Sequence, residues 1–199
     1  MRPGRALHAE TYPDTAVRMT NAGRGQLTLT TFLFIGKDTK RKNLPLVIEA
    51  FQLLHEKNPS YRLIVAGSDS LSLNVPGIED KGLVPFSTLP DLYNQSDVFV
   101  MPSRFEAYGL VFGEAFAYGL PCIGNDRQEM PYFIEEGKTG YLLRHQNAQE
   151  LASLMEKAIS NTTMKEEVQS RQSEYIREYS WDTVIDRMVA KIEDVTRNP

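Results

Sequence analysis

From Thr30 onward the chain alternates short apolar runs with longer segments of helical spacing, and this alternation leaves few folds open. Thr30–Gly36, Tyr61–Gly67 and Asp97–Met101 are rich in β-branched and aromatic residues and stop at Gly36, Gly67 and Pro102. Short runs of this kind read as strands buried on both faces. Ile78–Val84, Pro121–Gly124 and Thr139–Leu143 read as three more. Between them, Leu44–Lys57 repeats apolar residues at helical spacing (Leu46, Val47, Ala50, Phe51, Leu54) and stops before Asn58-Pro59. Ser87 is expected to cap a short helix through Tyr93, followed by helices over Gly109–Tyr118, Pro131–Glu136 and Ala148–Ser160. A last helix is expected over Met164–Val195, broken near Ser180-Trp181-Asp182. Six strands alternating with helices imply an α/β fold: a Rossmann-like parallel sheet with helices on both faces. Residues 1–28 show no sustained period and read as a linker or tail, which leaves 29–199 as one domain.

Composition narrows the classes of function. At 199 residues, 41% hydrophobic and 24% charged, the chain has the make-up of an ordinary globular domain with a sizeable core. The net charge of −4 argues against a general nucleic-acid binder. One cysteine, Cys122, forms no internal disulfide, which favours a reducing compartment. No apolar run reaches the roughly 18 residues of a membrane span, and no signal-peptide core opens the chain. His8, His55 and His145 are scattered, so a zinc site is not expected.

Open α/β sheets bind ligands at the carboxyl ends of their strands, where strand order reverses. Two of the loops expected there carry chemistry. Gly36-Lys37-Asp38-Thr39-Lys40-Arg41-Lys42-Asn43 places four cations within six residues, directly before a helix. The plain reading is a solvated basic turn. The other is an anion site, because cations at a helix start are unfavourable until an anion joins them. The second loop runs from Pro102 to Glu114 and holds Glu106 and Glu114, with seven residues between them. Glu106 falls in the loop, and Glu114 falls inside the next helix among Val111, Phe112, Ala115 and Phe116. Glu114 could face water; but Gly109–Gly119 holds no other charge, and burying a carboxylate without partners costs several kcal/mol, at order-of-magnitude level. A vicinal diol suits it, since two carboxylate oxygens can accept from adjacent ribose hydroxyls. Gly109, without a side chain, lets the free N–H groups of the helix start approach a phosphate. Glu106 would then meet a sugar beyond the phosphates, giving the order ribose, diphosphate, hexose.

These residues carry a resemblance. From Thr30 to Leu143 the chain resembles the donor-binding, C-terminal half of family 4 retaining glycosyltransferases of the GT-B fold. Glu106 and Glu114 are similar to that family's spaced glutamate pair, and Gly36-Lys37 with Lys42-Asn43 to its glycine–cation–lysine loop. Asn125–Leu143, through Glu136-Gly137-Lys138-Thr139-Gly140, resembles the segment that closes the donor site. Trp181 and the helix after it resemble the family's closing segment. The resemblance implies that Lys42 binds the diphosphate, with Lys37 and Arg41 beside it. Glu114 would hold the ribose and Glu106 a hydroxyl of the transferred sugar, which makes Glu106 and Lys42 the candidate catalytic residues. The N–H groups of Tyr108, Gly109, Leu110 and Val111 would cover sugar and phosphates, and Val84 would contact the base. Two positions depart from the pattern: Asn125-Asp126 stands where glycines are common, and Tyr132 follows Pro131 in place of a glutamate.

The implied activity is retaining transfer of a hexosyl group from a nucleotide sugar, such as UDP- or GDP-hexose, to a hydroxyl acceptor in polysaccharide or glycoconjugate synthesis. No cofactor or metal is expected, and no Asp-x-Asp pair occurs to clamp one to a diphosphate. The acceptor would be met through an N-terminal domain absent from this chain, which alone is expected to be inactive. The implied setting is cytoplasmic, with peripheral membrane association of the full enzyme. Two alternatives stand beside this reading. One is a non-catalytic nucleotide-sugar-binding module of the same fold. The other is an NAD-type oxidoreductase, disfavoured because Gly23-Arg24-Gly25 precedes the first strand and Thr28 stands in place of the third glycine.

Overall fold

The computed structural model describes residues 29–69, 71–180, 182–183, 185–186 and 188–190. The expected tail over 1–28 and Trp181 lie outside these residues. Six parallel strands form one sheet in the order β3-β2-β1-β4-β5-β6. They are β1 (Thr30–Ile35), β2 (Tyr61–Ala66), β3 (Ile78–Asp80), β4 (Val98–Val100), β5 (Cys122–Asn125) and β6 (Gly140–Leu143). The helices are α1 (Leu44–Lys57), α2 (Leu89–Asn94), α3 (Leu110–Ala117), α4 (Met130–Phe133), α5 (Ala148–Ser160), α6 (Thr162–Ser170) and α7 (Gln172–Glu178). The expected Rossmann-like α/β sheet is therefore present.

The chain steps outward from β1 in one direction through β2 and β3, then returns to β4 and steps the other way. Right-handed crossovers in opposite directions place α1 and α3 on opposite faces. Accordingly α1 packs against α5, and α3 against α7. Phe32, Leu33, Phe34, Leu63, Ile64, Val65, Phe99 and Val100 are all fully buried, as a sheet covered on both sides requires. Phe99 meets Phe112 of α3 edge-on at 5.8 Å between ring centroids.

Several boundaries differ from expectation. The strand expected over Ile78–Val84 is only Ile78–Asp80, because β3 is an edge strand with β2 as its one neighbour. Ser87 caps nothing: it lies inside a 3-10 turn, Phe86–Thr88, and α2 begins at Leu89 with Pro90 in its first turn. The Pro131–Glu136 helix is instead Met130–Phe133, and Ile134 is already extended. The helix expected from Met164 does break near Ser180, where α7 ends at Glu178 and helix resumes at Asp182, but it also divides earlier, at Arg171, into α6 and α7.

Candidate functional site

The order of strands reverses between β1 and β4, so the loops leaving these two strands lie side by side at the carboxyl edge. The first loop begins where Gly36 N donates to Ala66 O at 2.9 Å, setting it against the end of β2. Gly67 there has φ +96°, and a Cβ on it would stand 3.1 Å from Gly36 N, so glycine is required for this approach. The loop then curls on itself: Lys42 N donates to Asp38 O at 2.8 Å and Leu44 N to Thr39 O at 2.9 Å. This winding turns Lys42 inward, leaves Arg41 half-buried and leaves Lys37 exposed. The Lys37 side chain makes no hydrogen bond or ion pair among the described residues.

The loop after β4 is stitched to the first. Arg104 N donates to Arg41 O at 2.8 Å, and Arg41 Nη1 donates to Phe105 O at 2.8 Å. Lys42 Nζ donates to Glu106 Oε2, and Arg41 Nη1 stands 3.5 Å from the same oxygen. The other oxygen, Oε1, accepts a long bond of 3.4 Å from Gly109 N. Burial pushes the Lys42 ammonium below the usual lysine range, although Glu106 opposes this. For Glu106, burial acts to raise the carboxyl, but the Lys42 bond and charge, with Gly109 N–H and Arg41, together hold it below the ordinary range. Gly109 is buried with φ +59° and precedes α3, whose first turn carries neither an acidic residue nor a side-chain cap. The amide edge of Leu110 and Val111 is thus a source of donors for an anion. Tyr108 stands 78% exposed beside it.

Glu114 projects from the second turn of α3 and is half-buried. Its Oε2 accepts from Tyr93 Oη at 2.9 Å, so it occupies the groove between α2 and α3, which is not a solvated helical face. Tyr93 stacks on Tyr118 at 5.0 Å, and the Tyr118 phenol is pushed up to about 12 by burial and by the Glu114 and Asp91 charges. Val84 is half-buried against the core, in the segment that Gly82 O ties to Gly67 N at 2.9 Å. The structure thus joins Lys42, Arg41, Glu106 and Gly109 in one cluster. It sets Glu114 with Tyr93, packs Val84 on the core and leaves Lys37 apart.

Other residues shape the site through contacts the chain did not announce, Asn43 and Asn125 having entered only as parts of the resemblance. Gln128 Oε1 accepts from Glu106 N at 2.9 Å and braces the glutamate loop from the β5 side. Asn43, buried at φ +65°, donates to Pro102 O at 3.2 Å and to Gln146 Oε1 at 2.8 Å. Gln146 in turn donates to Asn125 Oδ1 at 3.0 Å, and Asn125 donates to Ser103 O at 3.1 Å. This amide chain joins the loops after β1, β4, β5 and β6. Only the left-handed preference of asparagine before a Leu-Pro helix start could have marked Asn43. Cys122 is buried in β5 with its thiol pushed well up by that burial, which suits a core residue. Among the described residues no cluster of three or more His, Cys, Asp or Glu is placed to hold a metal ion. Nor, among them, is any helix long and apolar enough to cross a membrane.

Comparison with known proteins adds a family to this geometry. The family model described as "Glycosyl transferases group 1" matches residues 24–179. The chain is 26% identical over 190 residues to D-inositol 3-phosphate glycosyltransferase of Corynebacterium aurimucosum, covering 85% of this chain and 45% of that protein. Its fold is similar to the C-terminal domain of the glycosyl transferase group 1 family protein LpcC of Francisella tularensis. That match has a TM-score of 0.61 at 20% identity and covers 78% of this chain and 92% of that domain. It is also similar to the pneumococcal O-GlcNAc transferase GtfA, whose structure contains UDP and GlcNAc. There the TM-score is 0.70 at 22% identity, over 84% of this chain and 36% of that one. The chain spans between 40% and 48% of the length of the first curated relatives it matches. This membership removes the oxidoreductase alternative, and it places the lysine loop and the glutamate loop within the matched region. The chain belongs to the glycosyl transferases group 1 family, with a GT-B-type Rossmann-like domain.

Proposed function

We propose that this domain binds the nucleotide-sugar donor for retaining transfer of a hexosyl group to a hydroxyl acceptor, the acceptor being met through a separate N-terminal domain. The observation that carries the reading is the cluster of Lys42, Arg41 and Glu106 against the start of α3, with Glu114 one turn further along the same helix. Its order matches the ligand. The diphosphate lies between Lys42 and the amides of Leu110 and Val111, the ribose reaches Glu114, and the sugar reaches Glu106. Cations and helix amides stabilise the charge that develops on the departing diphosphate, and they do so already in place before the bond breaks. Names of relatives support the class: one is a D-inositol 3-phosphate glycosyltransferase, another a mannosyltransferase, and GtfA is a GlcNAc transferase crystallised with UDP.

Calorimetric titration of the chain with UDP, GDP and ADP in EDTA, then with the matching sugar nucleotides, tests this. One nucleotide is expected to saturate at one equivalent. Lys42→Ala should weaken the nucleoside diphosphate itself, by about tenfold or more for a lost charge-assisted contact. Glu114→Ala should weaken both nucleotide and sugar nucleotide. Glu106→Ala should weaken the sugar nucleotide relative to the nucleoside diphosphate, which loses only a competitor for Lys42 and should bind no worse. Nucleotide binding indifferent to all three substitutions would sink the assignment.

A further inference from the structure

A cavity of about 400 Å³ opens against the same two loops. Asn43, Glu49, Arg104, Asn125, Arg127 and Gln146 line it. Asn43 adjoins Lys42, and Arg104 lies two residues before Glu106, so the cavity shares both loops with the proposed donor site. Its volume falls within the range of small-ligand sites. The amide part of the wall is fixed by the bonds from Asn43 through Gln146 to Asn125, while Arg104 and Arg127 stand exposed at its rim. The charge is what the amides leave over. Arg104 spends Nε on Asn43 Oδ1 at 3.2 Å. Neither Arg104 nor Arg127 pairs with a carboxylate among the described residues, and the Arg127 guanidinium makes no hydrogen bond among them either. Glu49 is the one carboxylate in the lining among the described residues, which leaves the cavity net positive.

We infer that this cavity is a second oxyanion site, which receives the phosphate group of a phosphorylated acceptor. Two planar guanidinium groups on separate loops match the several oxygens of a phosphate monoester better than a single ammonium would. The site also shares its loops with Glu106, so an acceptor anchored here by its phosphate leaves its hydroxyl end to the donor site and the separate N-terminal domain. The inference rests on the donor-site reading for that last step, and its test is arranged so that the two fail separately.

The chain is titrated with glucose 6-phosphate, with glucose as the unphosphorylated control, and in a parallel arm sedimented with phosphatidylcholine vesicles with and without phosphatidic acid. UDP is titrated throughout. Glucose 6-phosphate is expected to bind in the presence of saturating UDP, and glucose not to bind. Arg127→Ala, which removes no side-chain bond among the described residues, should weaken that binding about tenfold. Glu49→Gln should tighten it, and neither substitution should move UDP. Sedimentation only with phosphatidic acid, abolished by Arg127→Ala, would support the site and assign its phosphate to a lipid acceptor. Competition between UDP and glucose 6-phosphate, indifference to both substitutions, or no binding of either phosphate source would overturn it. Loss of UDP binding alone would count against the donor site and not against this one.

Discussion

Lys42 and Glu106 are the two residues whose environments work against each other. Each is held by the other, and both are largely removed from water, with side chains 10% and 13% exposed. On the proposed donor reading, a diphosphate arriving at Lys42 has to compete with Glu106 for the ammonium. Its titration has a definite sign. Glu106 is held below the ordinary carboxyl range, so its contribution is complete above the unfolded value of about 4.3 and is lost as pH falls through the lower folded value. Lys42 runs the other way. Burial lowers it, so the cost of keeping its charge is present at neutral pH and is relieved as pH rises toward the unfolded value of about 10.4. Glu106→Gln keeps the shape and removes the charge. It should lower stability by about 1–3 kcal/mol at pH 7, and the deficit should shrink as pH falls below about 4.3 and through the lower folded value. Urea unfolding of both proteins across that range checks it. A deficit independent of pH would mean that the glutamate acts through packing and not through its charge.

At the level of elements, most of the fold is legible in the order of residues alone. α1 and α5 have the expected bounds, Leu44–Lys57 and Ala148–Ser160, because strong local signals mark them. Asn147 accepts from Glu150 N at 2.7 Å, while Glu150 reaches back to Arg144 N and His145 N. This is an asparagine N-cap that local sequence can announce, with the third-position glutamate bracing the turn before it. The misread elements depend on distant partners. The helical spacing after Met164 continues unbroken, and nothing in it marks the turn at Arg171. Arg171 there reaches Glu135 in the loop between α4 and β6 at 3.2 Å, and Glu174 at 3.1 Å. Lys165 of α6 pairs with Asp97, just before β4, at 3.0 Å. The turn that leads into β6 gives a test of elements by paired glycines. Gly137 has φ +76° with open space around it, so Gly137→Ala should cost about 1–2 kcal/mol of backbone strain. A Cβ on Gly140 would stand 1.9 Å from Cys122 O, a backbone atom in the β5–β6 ladder. Gly140→Ala should therefore cost at least about 3 kcal/mol, or prevent folding. Equal midpoints in thermal unfolding would show that the two strands part easily.

Across the whole molecule, one sheet edge carries everything argued above. The strand reversal between β1 and β4 brings the cationic loop to the glutamate loop, which the alternation of elements predicts and which the sequence spacing of Glu106 and Glu114 makes specific. What it could not supply was the second layer, from Gln128 to Glu106 and from Asn43 through Gln146 to Asn125, whose members lie as far as 103 residues apart. The edge is nevertheless one wall. Phe105, Tyr108 and Tyr132 remain 57%, 78% and 84% exposed around it, and the chain spans less than half the length of its first curated relatives. A single wall can hold a leaving group but does not exclude water from it, and orienting an acceptor hydroxyl takes a second surface. Binding and turnover should therefore separate. The chain is expected to saturate with its nucleotide sugar while releasing nucleoside diphosphate no faster than the free donor decomposes in buffer, with or without a hydroxyl acceptor. The same region joined to an N-terminal acceptor domain should release it only when acceptor is present, with the new linkage keeping the donor's anomeric configuration by NMR. If the chain alone transfers the sugar, the catalytic wall is complete as it stands. If the joined protein binds donor and still transfers nothing, the non-catalytic module is the better account, because the same cluster would then serve recognition without chemistry.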